Sequence, residues 1–424
     1  MMRQFFAVMI AGSALAAEPA TFHRDVLPVL RGKCVACHNA DGLGPFPLDN
    51  FTDVRKRAGQ ITRIIADGLM PPWKPEGGHF AWDRRLSAVE AATFRHWVEA
   101  GAQEGEAGPP PQANPDGWML GEPDMILTAA QAFAIPAEGR DLFVHYVFPL
   151  GLGEERQLRA VEVLPGNRRV THGALGILDR SGSARERAGK DGRYELYGGP
   201  GFVPTGYTPG YFPGQAARAF GDSAITLTAD TDFVLQVHYR PRGEAMTDVP
   251  RVGLYFAKEP VVREVSGVFL GCEDIRIPAG AGEARLRDTV TLPVALRATD
   301  IRARMLRVGV GVRVWAELPG GKKIPLLKIS DWEREWEETW RFAEAAELPK
   351  GTRIYAEWIY DNSSANPRNP NKPPREIRAG ETEADEAAVV WIGGSVAGWI
   401  DRVTLNGANL THYIDLATAA HRRK

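Results

Sequence analysis

Hydrophobic positions change their rhythm along this chain. From Phe22 to Leu30 (Phe-His-Arg-Asp-Val-Leu-Pro-Val-Leu) the apolar residues recur at helical spacing and predict a short amphipathic helix. Ser87-Ala88-Val89-Glu90 is a capping box, and in the helix it opens over 91–100 the residues Phe94, Trp97 and Val98 share one face until Gly101 ends it. Further on, the apolar runs become short and β-prone, and clusters of Gly, Pro and Asp separate them. In one half these runs are Phe143–Phe148, Arg169–Leu178, Ile225–Leu227, Phe233–Tyr239 and Val252–Phe256. In the other they are Thr289–Leu296, Val308–Leu318 with a Pro319-Gly320-Gly321 turn, Ile324–Ile329, Thr352–Tyr360 and Ala388–Ile392. Many short strands with few helices predict antiparallel sandwiches, and about 150 residues in each half suggests two of them.

Between the helical and the β-rich parts, residues Glu104–Pro115 are rich in Pro, Gly, Gln and Glu and read as a linker. At the N-terminus Arg3 is followed by the apolar run Phe5–Leu15 and by Ala14-Leu15-Ala16, the pattern of a secretory signal with a small-residue cleavage site. That run is too short to span a bilayer, and no later segment is long and apolar enough to do so. The mature chain is therefore expected to be periplasmic or secreted, without a membrane span. The 424 residues suit about three domains. The balance of 51 Lys plus Arg against 53 Asp plus Glu carries no sign of a nucleic-acid partner.

The densest chemistry is in Cys34-Val35-Ala36-Cys37-His38. Two thiols at CxxC spacing can add across the vinyl groups of a haem, and the histidine that follows is placed to ligate the iron. A CxxC can also be a redox dithiol or half of a zinc site. Here no second CxxC completes a zinc site, because the third cysteine, Cys272, stands alone, and an export signal suits c-type haem attachment. Covalent haem c at Cys34 and Cys37, with His38 on the iron, is the expectation. Cys272 reads as a buried structural thiol.

Gly68-Leu69-Met70-Pro71-Pro72-Trp73 lies about thirty residues beyond His38, far enough for a loop to carry Met70 across a haem as sixth ligand. His79, His96 and His23 are the alternatives. The acidic run Asp331–Glu338, with Trp332 and Trp336 at i,i+4, reads as an amphipathic segment packing its tryptophans. The polar stretch Asn362–Pro374 reads as a surface connection. No nucleophile elbow, phosphate-binding loop or dinucleotide fingerprint occurs.

Taken together, these residues resemble bacterial proteins that join an N-terminal cytochrome c to a pair of β-sandwiches like those of the copper type II, ascorbate-dependent monooxygenases, such as the peptidylglycine and dopamine hydroxylases. The resemblance covers nearly the whole mature chain. It is carried by the CVACH motif, by Met70-Pro71-Pro72-Trp73 with Gly78-His79-Phe80, and by the stretch Leu164–His172. Leu235-Gln236-Val237-His238-Tyr239, Trp332, Trp336 and Tyr360-Asp361-Asn362-Ser363 also carry it. It implies an N-terminal all-α cytochrome c domain (20–104) behind a signal peptide (1–16), a linker (105–120), and two antiparallel, jelly-roll-like β-sandwich domains (121–260 and 261–416).

In that family each sandwich holds one copper. Of the first copper's ligands His172 and His238 are present, but Thr171 stands where the other histidine of an adjacent pair belongs, and His145 or water would complete the shell. For the second copper, Val308-Gly309-Val310-Gly311-Val312 stands where a His-x-His belongs. Glu383-Ala384-Asp385-Glu386-Ala387 has alanine in place of the methionine, and Met305 is the last methionine of the chain. Glycine and valine offer copper no donor. The resemblance thus implies a haem protein passing single electrons to or from a redox partner protein, with sandwiches that serve as a platform for an unidentified small molecule or peptide. The alternative is a haem-coupled copper monooxygenase.

Overall fold

The computed structural model describes residues 18–422 apart from 78, 110–116, 381 and 383. The signal segment expected over 1–16 lies outside these residues, as does the middle of the expected linker. Among the described residues the chain forms six α-helices and twenty-two strands.

The expected fold class is overturned. The chain is mostly β-sheet, and no all-α cytochrome domain forms at its N-terminus. That segment has four short α-helices: α1 (Leu27–Lys33), α2 (Phe51–Lys56), α3 (Ala58–Ala66) and α4 (Ala88–Glu99). A π-helical turn, Phe22–Val26, leads into α1, and the capping box opens α4 as expected: Ser87 accepts from the Glu90 amide while Glu90 accepts from that of Ser87. Phe22, Leu30, Phe94 and Trp97 bury themselves in a small cluster between these helices.

The rest of the segment is not helical, and the physical reason lies in residues 71–86. Pro71, Pro72 and Pro75 withhold amide donors and fix φ there, so the backbone finds its partners on the β-rich part instead. The Glu76 amide donates to the Lys328 carbonyl at 2.8 Å, Ala81 donates to Arg341 at 2.8 Å and Ala343 to His79 at 2.9 Å. Phe80 forms a β-bridge with Phe342 and joins the core of the second β unit. The helices are therefore an attachment on a β structure.

The β-rich part shares one sheet: two inner sheets pack against one long outer sheet. The first inner sheet has five strands with Asp232–Tyr239 at its centre, between Leu142–Pro149 and Thr171–Asp179. The second has four, including Gly309–Glu317 and Arg353–Tyr360. The outer sheet has nine strands and runs behind both. Its two halves join where Ser223–Leu227 pairs in parallel with Arg263–Gly271, Arg263 opposite Ser223 and Glu264 opposite Ala224. One apolar core fills each gap: Val144, Leu235 and Val237 meet Leu158, Val161 and Leu254 in the first. In the second, Val312, Val314 and Trp358 meet Leu270, Ile301 and Ile392.

Most expected strands are present within a residue or two. An exception is 289–296, where the strands Ala284–Thr291 and Leu296–Arg304 are separated by a turn. Pro293 sits in that turn and has no amide for a ladder. The sequence pattern also does not reveal Arg156–Leu164, Thr339–Leu348 or the 24-residue helix α6 (Trp399–Arg422), and α5 (Ser183–Ala188) is a single short turn.

Helix α6 is anchored by polar groups. Asn409 donates to the Gly267 carbonyl at 2.8 Å, His412 Nε2 bonds Asp288 at 2.8 Å and Arg402 pairs with Glu264 at 3.5 Å. Trp399, Ile400, Val403, Leu410 and Ile414 remain exposed. Among the described residues no helix is long and apolar enough to cross a membrane.

The helical attachment is clamped by charge. Arg84 pairs with Glu338, whose side chain is 8% exposed, and Lys74 bonds Asp331 and Glu333 at 2.8 and 2.9 Å. Removing one partner of a buried pair leaves the other charge desolvated and costs about 3 kcal/mol. Arg84→Ala is thus expected to lower stability by about that amount in urea unfolding, and adding Glu338→Gln to it should recover part of the loss. Equal stability of wild type and Arg84→Ala would show that the clamp contributes nothing.

Candidate functional site

Two groups of residues stand out, and they adjoin. The first is the CVACH stretch, which forms one turn directly after α1. The Cys37 and His38 amides both donate to the Cys34 carbonyl, at 3.1 and 2.9 Å, so the two thiols and the imidazole leave the same turn. The chain after His38 folds back over it: Gly44 donates to the Cys37 carbonyl at 2.7 Å and Leu48 to that of His38 at 2.9 Å. A Cβ on Gly44 would stand 2.5 Å from His38 Nδ1, so only glycine fits there. His38 Nδ1 lies 3.1 Å from the Phe46 carbonyl. A carbonyl only accepts, so Nδ1 carries the proton and Nε2 keeps its lone pair. Burial lowers the His38 pKa and keeps the ring neutral. Burial also pushes Cys34 up to about 12 and raises Cys37, which favours the thiol form of both.

Met70 lies half-buried where the loop leaves α3, beside exposed Leu69. The three histidines weighed against it are placed elsewhere. His79 Nε2 bonds the Leu326 carbonyl at 3.2 Å and its ring stacks on Phe342, on the second β unit. His96 is on the exposed side of α4, and His23 sits 3.5 Å from Glu104.

The second group is a small cleft of about 40 Å³ between the first inner sheet, the outer-sheet strand Leu296–Arg304 and residues 334–337, lined by His172, His238, Phe143, Phe212, Arg304 and Glu337 among others. A β-bulge makes it. Gly173 lies opposite His238 and Thr171 opposite Tyr239, so His172 is the extra residue and is turned toward its neighbour across the ladder. The His172 and His238 rings are 4.8 Å apart. Thr171, where the resemblance looks for a histidine, is buried and donates to the Asn167 carbonyl at 2.9 Å.

His238 Nε2 bonds Asp141 at 2.8 Å. Burial lowers the His238 pKa, with Asp141 opposing. Burial works in the other direction on Asp141, but His238, Arg240 and Arg334 hold its carboxyl at about 2. At neutral pH a neutral His238 therefore donates to an ionised Asp141. His172 is held down at about 4 by burial and by the neighbouring His238.

Two imidazoles supply only part of the three or four donors that copper or zinc takes. His145 does not join them. It is fully buried, with Nε2 2.8 Å from Gln236 Nε2 and its ring stacked on Tyr194. Among the described residues no three of His, Cys, Asp or Glu converge on one point. At the second expected copper position a Cβ on Gly309 would meet Met305 and Trp332, the Glu386 carboxylate accepts from the Leu306 and Val308 amides at 2.7 Å, and no histidine is present.

No family model matches the chain. No curated protein matches it either. Among solved structures it is similar to the PBSX exported protein XepA at 10% identity, over 56% of this chain and 86% of that one, with a TM-score of 0.18. It is also similar to the structure of infectious bursal disease virus Gx strain at 8% identity, over 65% of this chain and 73% of that one, with a TM-score of 0.18. Likenesses this slight carry no argument about fold or function.

Sequence reading missed what joins the two groups. The acidic run 331–338 reads as a packing segment, and Trp332 does enter the core. Its carboxylates, however, build the junction. Glu335 pairs with Arg307 at 2.9 Å, Glu337 bonds Arg302 through Nε at 2.9 Å, and Glu338 accepts from Arg84, Gln215 and Trp340. A Cβ on Gly214 would touch Cys37 Sγ at 3.7 Å, and Phe212, two residues earlier, lines the cleft. One turn of chain thus separates the CVACH thiol from the histidine pair. The alternation of charge in 331–338 was the available signal.

His145 supplies a pH test of the inner sheet. Burial pushes it down to about 4. The unfolded chain takes up that proton near pH 6.5 and the folded chain only near 4, so the unfolded state binds more protons in between. This contribution to stability is complete above about pH 6.5 and is lost as the pH falls toward 4. Thermal melts of His145→Gln should show a smaller decline over that window than wild type. An equal decline would mean that His145 is protonated in the fold.

Proposed function

We propose that this chain is an exported one-electron carrier, with haem c attached through Cys34 and Cys37, His38 and Met70 on the iron, and the β-rich part as its binding platform. The observation that carries this reading is the His38 geometry. Both thiols and a neutral imidazole leave one turn, and the Phe46 carbonyl fixes the tautomer so that Nε2 is the free donor. A metal-binding histidine is commonly oriented by such a bond to its other ring nitrogen. When bound, the haem supplies a reversible iron couple, and thioether ligation raises its potential relative to two histidines.

The protein's own part is to orient and to shield. Gly44 lets the 39–48 loop close on His38, and burial holds the imidazole neutral. Met70 would be the sixth ligand, a reading supported by its place about thirty residues beyond His38 in a proline-stiffened loop. Electrons would be exchanged with a redox partner protein. The resemblance to cytochrome proteins fused to copper-monooxygenase-like sandwiches supports the same reading at the level of motifs. Copper chemistry is not assigned, because among the described residues the histidine pair gathers no third donor and the second position has no imidazole.

The test is production with haem-maturation machinery. Acidified organic solvent should leave the haem on the protein, and Cys34→Ala or Cys37→Ala should leave at most one thioether. Met70→Ala should abolish the weak sulfur-to-iron absorption band of the oxidised protein. Extraction of intact haem from the wild type would sink the covalent assignment. A band that is missing, or that survives Met70→Ala, would remove Met70.

A further inference from the structure

Helix α6 buries one side and leaves an uncharged side open. Leu405 is fully buried, and Arg402, Asn409 and His412 bond Glu264, the Gly267 carbonyl and Asp288 of the sheets beneath. Turned away from that contact, Trp399, Ile400, Val403, Leu410, Tyr413 and Ile414 are 44–63% exposed. A continuous apolar stripe left in water marks a surface that something covers.

The spacing tells what kind of surface it is. Ile400, Val403, Gly407, Leu410, Ile414 and Ala417 follow one another at alternating steps of three and four residues along the helix. That alternation is the seam of two helices packed side by side. The positions that flank it, Trp399, Thr404, Asn406, Thr411, Tyr413 and Thr418, carry no charge. A helix that lies on a membrane surface displays Lys and Arg along its polar face. Between 399 and 420 the only Lys or Arg is Arg402, and it is engaged with Glu264.

The seam fits a reversed copy of itself. Two copies running antiparallel about a two-fold axis between Gly407 and Leu410 set Leu410 over the second copy's Gly407, Ile400 over its Ala417 and Val403 against its Ile414. Large side chains thus meet small ones, and a Cβ on Gly407 would meet nothing within 4 Å, so the notch is open in the single chain. A parallel pair would set glycine on glycine and alanine on alanine and leave voids. Charge favours the same direction. Antiparallel pairing brings Asp401 of the first turn toward the other copy's basic run His421-Arg422-Arg423-Lys424, whereas parallel pairing puts two basic runs together. Six half-exposed apolar side chains offer roughly 500 Å² per copy. The pair then buries about 1,000 Å², where specific interfaces begin.

We infer that α6 is a self-association helix, through which two copies of this chain pair antiparallel with Leu410 of each seated at Gly407 of the other. The interface is isologous, so it closes as a dimer and does not propagate. The inference goes beyond the proposed electron carrier and is independent of the haem.

The experiment is sedimentation velocity on the full chain from low micromolar to sub-millimolar concentration, with vesicles of phosphatidylcholine and phosphatidylglycerol offered to the same chain in parallel. The wild type should pass from monomer to dimer as its concentration rises. Leu410→Lys should weaken the dimer by about a hundredfold or more, since two charges would enter one apolar layer. Gly407→Leu has room in the single chain and raises helix propensity, yet it should weaken the dimer by about tenfold or more by filling the notch that receives Leu410. Adding Leu410→Ala to Gly407→Leu should recover part of that loss. A wild type that stays monomeric overturns the inference, and a monomer that binds the vesicles assigns the face to a lipid surface instead. A dimer that survives Leu410→Lys overturns α6 as the interface. A dimer tightened by Gly407→Leu overturns the antiparallel register. If Leu410→Lys does not fold, the wild type and Gly407→Leu still decide. Sedimentation reads mass whether or not haem is attached, so a failure here and a failure of the haem assignment are separate results.

Discussion

Three distant parts of the chain meet at one nearly buried carboxylate. Glu338 accepts from Arg84 of the N-terminal helical segment, from Gln215 of the loop beside Cys37, and from the Trp340 indole of the outer sheet. A desolvated carboxylate is tolerated only when its lone pairs are filled. Each of those donors has to be in place, and the helical attachment, the 212–215 turn and the second β unit are held in one arrangement as a result. The other acids of 331–338 extend the junction toward Lys74 on one side and toward the cleft arginines on the other.

That junction puts two kinds of chemistry side by side. The CVACH turn lies on one side of Phe212–Gly214 and the histidine and arginine cleft on the other. The outer sheet continues across both halves, which are joined by backbone pairing at Arg263–Ser223 and Glu264–Ala224.

The residues that depart from the family resemblance have local structural uses. Thr171 satisfies the Asn167 carbonyl in a place where an imidazole would need a partner, and Gly309 allows Met305 and Trp332 to close over the strand beneath them. These positions are packed as parts of a β core. The bulge that turns His172 toward His238 is kept, and with it the opening between the first inner sheet and the outer-sheet strand Leu296–Arg304.

What the sequence by itself determined was local. The CxxCH spacing, the capping box at Ser87–Glu90 and the alternation of strands such as 233–239 and 353–360 can all be read within a few residues, because each depends on short-range geometry. Strand partners could not be read that way. The parallel seam between 223–224 and 263–264, the shared outer sheet and the docking of residues 76–81 onto 328–343 depend on which distant edges find each other, and periodicity carries no record of that. For the same reason the N-terminal helices could be located while the expected all-α domain could not be sustained, since the prolines between them sent backbone donors to a β partner. The cleft belongs wholly to tertiary structure. Arg304, Phe143, His172 and Glu337 sit on four separate strands or turns, and only their assembly brings the Arg304 guanidinium over the Phe143 ring and within 4.0 Å of Glu337.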